Sequence, residues 1–85
     1  ISREDQKAKE RDRKRIEKRI QDIERQIEVQ EKTMKELEPQ MADPELYKDA
    51  VKHHQVVRRY ETCKSIVASL MEEWTSMNEQ LQELV

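Results

Sequence analysis

A chain of 85 residues that is 42% charged and 34% hydrophobic, with a formal net charge of −2 and no glycine, has too little apolar material for a globular core of its length. No apolar run approaches the ~20 residues of a membrane span, no hydrophobic stretch marks a signal peptide, and one cysteine cannot build a disulfide framework. Two possibilities survive, disorder or long helices that bury narrow seams, and hydrophobic periodicity decides between them.

The first half carries such a seam. Ile16, Ile20, Ile23, Ile27, Gln30, Met34, Leu37 and Met41 follow one another at alternating spacings of four and three, with Arg, Lys, Glu, Asp and Gln between them. A narrow apolar stripe sustained over about four heptads is the signature of a coiled coil, whereas a generic surface helix needs a wider stripe. Gln30 is the one polar member, and an amide at such a position wants a partner or water.

The break comes next. Pro39 and Pro44 bracket Gln40, Met41, Ala42 and Asp43. Proline removes a helical hydrogen bond and crowds the preceding turn, so Pro39 is expected to bend or fray the end of the first helix. Asp43 followed by Pro44 is a helix-start signature, and Asp49 offers a second cap. Either could open the second long helix.

The second half repeats the rhythm at His53, Val56, Tyr60, Cys63, Val67, Leu70, Trp74, Met77, Leu81 and Leu84, with Ile66 and Met71 flanking. Trp74 is read as a core anchor whose indole N–H needs a partner near the edge. The pattern predicts an all-α, two-helix antiparallel coiled-coil hairpin. Residues 1–15 read as a charged linker continuing into the first helix, residues 16–85 as the hairpin, with the turn near 39–48. Pairing residues whose numbers sum to about 90 sets Ile16 against Trp74, Ile20 against Leu70, Ile27 against Cys63 and Gln30 against Tyr60. It also lays eight bases between Lys7 and Arg19 beside four acids between Ser65 and Val85, which favours antiparallel register. A monomeric hairpin is the favoured state. The chain begins with Ile1 rather than Met, so it is expected to be part of a longer protein.

Asp43-Pro44-Glu45-Leu46-Tyr47 at the tip, within a Lys/Glu-rich coiled coil and followed by Glu72-Glu73-Trp74 in the second helix, resembles the C-terminal coiled-coil domain of ABC-F proteins, tandem ATPases of the Uup type. The likeness covers roughly residues 10–85. It implies a cytoplasmic arm, attached to the rest of its parent ATPase, that binds nucleic acid. In Uup-like members the ligand is DNA, and in members acting in translation it is ribosomal RNA or the ribosome.

The residues themselves offer two basic clusters. One lies in the block that includes Lys14, Lys18 and Arg19, and the other near the tip at Lys48, Lys52, His53, His54, Arg58 and Arg59, with Lys32 and Lys35 opposite. Such clusters contact phosphates without reading bases. The nucleic-acid-binding residues expected are Lys14, Lys18, Arg19, Lys48, Lys52, Arg58 and Arg59. The competing reading treats these charges as solvated coiled-coil faces of a structural module that spaces domains or joins a protein partner through Leu46, Tyr47, Val51 and Val57. No catalytic role is expected. His53 and His54 are adjacent and point apart on a helix, so they do not form a metal pair. Cys63 occupies a seam position, and no Gly-rich phosphate loop is present. No cofactor, metal or membrane partner is expected for this chain.

Overall fold

The computed structural model describes residues 2–84. Three helices follow in order: α1 over Arg3–Met41, the single turn α2 over Pro44–Tyr47, and α3 over Ala50–Leu84. α1 and α3 pack antiparallel into a rod of 68 × 15 × 14 Å, and no strand forms among the described residues. The charged segment from Arg3 to Arg15 is helical and continuous with the part of α1 that carries the seam.

The seam residues are what the two helices bury. In α1, Ile16, Ile20, Ile23 and Leu37 are buried, while Ile27, Gln30, Met34 and Met41 are half-buried. In α3 the buried residues are Val56, Cys63 and Leu70, one heptad apart, and the seam residues between and beyond them are half-buried apart from Trp74. Ile23 is 0% and Leu37 2% exposed, which marks these two as the closest-packed points of the rod.

Both candidate caps at the turn are used. Asp43 is extended (φ −74°, ψ 119°) and its side chain accepts from the Glu45 backbone N–H at 3.0 Å, which opens α2 with Pro44 in its first turn. Asp49 Oδ1 accepts from the Lys52 backbone N–H at 3.1 Å and opens α3. The chain therefore reverses in two joints around a one-turn helix rather than in one tight bend. Because the reversal is divided, neither joint needs a left-handed residue: Ala42 (φ −88°, ψ −5°) and Lys48 (φ −71°, ψ −22°) stay in the right-handed region, and no described residue has positive φ. This is how a chain without glycine turns back on itself.

Pro39 does not end α1, which runs on to Met41. Placed in the last turn, it deprives only the Lys35 carbonyl of its helical partner, at a point where the helix is about to run out of donors anyway. The Ala42 N–H still closes on the Glu38 carbonyl at 3.2 Å.

The sequence pairing needs correction along the rod. Trp74 is not a core anchor opposite Ile16. It sits on the rim, 37% exposed, and its Nε1–H donates to Glu24 Oε1 at 3.2 Å. Glu24 lies about two turns beyond Ile16, or ~12 Å at helical rise. An indole inside a seam of β-branched isoleucines would crowd the backbones and strand its N–H, and at the rim it keeps both packing and a partner. Gln30 likewise borders an open groove with Thr62 and Cys63, one seam step past the Tyr60 assigned to it, and its half-buried amide is open to water.

Candidate nucleic-acid interface

The seven expected contact residues do not form one patch. Lys14 and Lys18 stand exposed on α1, about 40 Å from the tip at 1.5 Å per residue. Lys48, Lys52, Arg58 and Arg59 cluster around the tip and the start of α3, all exposed. Lys48 closes α2 and reaches Glu45 Oε1 at 3.2 Å, an exposed pair that exchanges readily with solvent. Lys52 uses its backbone N–H on Asp49 and leaves its side chain exposed. Arg58 and Arg59 border the same open groove as Gln30 and Thr33 of α1. His53 is held against Tyr47, ring centroids 4.3 Å apart and stacked, whereas His54 is exposed.

Arg19 is paired across the rod. Its Nε donates to Glu73 Oε2 at 2.6 Å and its second guanidinium nitrogen to Glu73 Oε1 at 2.7 Å, a fork-to-fork pair across the two helices. The other five ion pairs among the described residues are local, between residues three or four apart. The basic stretch of α1 and the acidic stretch of α3 thus meet as predicted, with Arg19 and Glu73 bridging them. A sequence reading could have separated Arg19 from its neighbours by its place beside the seam, where a long side chain reaches the facing helix.

The pair is partly exposed on both sides, yet its hydrogen bonds move both titrations. Bonding to Arg19 holds the Glu73 carboxyl below the ordinary carboxylate range, and bonding to Glu73 raises the Arg19 guanidinium above its own. Glu73 therefore ionises more readily in the folded chain than in the unfolded one. Its contribution is fully present above the unfolded carboxylate's titration and is lost as pH falls through the lower folded value. Glu73→Gln should flatten the acid limb of a plot of Tm against pH, while an acid limb identical to that of the parent chain would mean the pair does not couple to folding.

Among the described residues no group of His, Cys, Asp and Glu is placed to hold a metal ion, and no helix is long and apolar enough to cross a membrane. Cys63 is a buried free thiol. At the tip, Tyr47 and Val51 are exposed, while Leu46 and Val57 are half-buried.

This hairpin of two long helices joined by the Asp43–Tyr47 element coincides with a known domain type: residues 7–79 match the family described as ABC transporter C-terminal domain. The chain belongs to that family. No curated protein and no solved structure matches it. As an ABC transporter C-terminal domain it is an accessory part of an ABC protein, and the match takes in α2, most of α3 and all of α1 beyond Gln6. Lys14, Lys18, Lys48, Lys52, Arg58 and Arg59 all fall inside the matched span.

Proposed function

We propose that this domain is a non-catalytic, cytoplasmic arm of an ABC-F protein of the Uup type, and that it binds nucleic acid, DNA or ribosomal RNA, by contact with the phosphate backbone. Lys14, Lys18, Lys48, Lys52, Arg58 and Arg59 carry the contact. The observation that supports this reading is their exposure along the rod: all six are exposed, and of these only Lys48 has a carboxylate within ion-pair distance among the described residues. The chain's net charge of −2 counts acids that lie elsewhere on the rod or are already paired across it.

Titration of the chain with duplex DNA, single-stranded DNA and structured RNA at two salt concentrations tests the reading. Affinity should fall steeply with salt, with a log–log slope of about −0.9 per phosphate neutralised on duplex DNA. Charge reversal at Arg58 and Arg59 should weaken binding to all sequences alike and leave the helical content intact. A second reading, a structural module that docks a protein, is favoured by the exposure of Tyr47 and Val51 at the tip. It prevails if none of the three nucleic acids binds at low salt and a protein partner is lost on Tyr47→Ser or Val51→Ser.

A further inference from the structure

The bases of α1 are sorted by helical position. With Ile20 and Ile27 at position a of the heptad and Ile16 and Ile23 at d, positions b and f form the outer face. After Glu4 in the first turn, they carry in unbroken succession Lys7, Arg11, Lys14, Lys18, Gln21, Arg25, Glu28, Lys32 and Lys35. Every one of these side chains is exposed. Of the seven bases, only Arg25 has a carboxylate in reach among the described residues, Asp22 at 3.9 Å. Five of the eight glutamates of α1 gather instead at position e, as Glu10, Glu17, Glu24, Glu31 and Glu38. That row borders the groove toward α3, where Glu24 and Glu31 flank Met71 and Trp74. α1 thus has a basic back and, on the side of position e, an acidic flank.

The spacing along the back carries more information. The first four bases centre near residue 12 and the last two near residue 33, about 31 Å apart at helical rise. Between them Gln21, Arg25 and Glu28 carry no net charge. One turn of B-form duplex is ~34 Å, so a duplex lying parallel to the rod brings the same strand to both clusters and turns a groove toward the neutral stretch. The face has no aromatic residue, since Tyr47 lies at the tip, Tyr60 in the seam and Trp74 on the far flank. Single strands are held by stacking on aromatic platforms, which this face does not offer.

We propose that the outer face of α1 is a lengthwise docking surface for double-stranded DNA, its two basic clusters meeting phosphates of one strand a helical turn apart. The proposal rests on the nucleic-acid reading above and adds to it the face, the orientation and the duplex.

The test uses DNA hairpins sharing one loop, with stems of about 6 and about 16 base pairs, or about 20 and 54 Å at 3.4 Å per pair. The short stem reaches one cluster and the long stem both. The long stem should show a log–log salt slope steeper by about 2, one unit for each phosphate met by Lys32 and Lys35. Lys32→Gln with Lys35→Gln should remove that difference and leave short-stem binding unchanged. Arg58→Gln with Arg59→Gln should leave the difference in place. Equal slopes for the two stems, a difference that survives the Lys32/Lys35 change, or tighter binding to a loop-matched single strand or RNA stem would each overturn lengthwise DNA docking while the broader reading stands. Failure of every DNA and RNA probe to bind at low salt overturns both. All four substitutions are at exposed positions, and circular dichroism of each variant confirms that the comparison is between folded rods.

Discussion

Ile23→Ala should lower the unfolding free energy by about 2–5 kcal/mol, the range for removing a buried isoleucine side chain. Ile23 is the residue with no exposed surface, and it sits mid-rod, where two long helices cannot collapse into the void without parting from their neighbours along the seam. An 85-residue chain has few such residues, so one deletion removes a large fraction of the total. Leu70→Ala should fall in the same range, since Leu70 is also buried. Arg58→Ala, at an exposed position, should stay within about 0.5 kcal/mol of the parent. Urea unfolding followed by far-UV circular dichroism separates these outcomes. Equal shifts for Ile23→Ala and Arg58→Ala would contradict the seam.

The triple change Asp43→Ala, Pro44→Ala and Asp49→Ala should turn the hairpin into a domain-swapped dimer. The reversal depends on very few backbone choices. Ala42 and Lys48 already have right-handed values, and Asp43 is extended because its side chain caps α2 and Pro44 follows it. Each aspartate cap contributes about 1 kcal/mol, and proline in a helix interior costs about 3 kcal/mol. Their removal therefore moves the balance by on the order of 5 kcal/mol toward an unbroken helix. Such a helix cannot pair with itself, but two copies side by side recover every seam contact except those of the tip. Sedimentation equilibrium should report a doubled mass, and small-angle scattering a particle approaching twice the 68 Å length. A variant that stays monomeric would show that the seam, rather than the tip, enforces the reversal.

How much of this was readable from the sequence differs element by element. The helices and the faces they bury follow from the narrow seam, because only apolar residues at alternating spacings of four and three could cover one another here. The register was less determined. Ile16, Ile20, Ile23 and Ile27 are alike, so sliding α3 by one seam step presents nearly the same surfaces, and polar contacts such as Arg19 with Glu73 and Trp74 with Glu24 break the tie. Trp74 was misplaced for a related reason: its N–H does find the edge partner expected of it, in Glu24, but the heptad rule counts the residue as a core member and ignores its bulk. The double cap at the turn could not be resolved beforehand, since Asp43 and Asp49 are equally good caps and the structure uses both. The basic back of α1 was visible only as a surplus of Lys and Arg. Once Ile16 and Ile20 are fixed as seam residues, the same letters separate into an outer row, an acidic row, and Arg19, which turns inward to α3.

The joined tip and the open opposite end have a mechanical consequence. Leu84 lies beside Gln6, Lys9 and Arg13, so the start of α1 and the end of α3 lie together. A pull that separates them therefore opens the rod like a zipper, loading one layer at a time instead of shearing the whole interface at once. Re-closure runs the other way. Pairs near the tip, such as Leu37 with the early residues of α3, close short loops at small entropic cost, and each later layer adds to one already formed. The first layers to part are those around Leu81 and Leu84, where apolar side chains meet basic stems. The last is the tightly packed stretch at Leu37, next to the reversal.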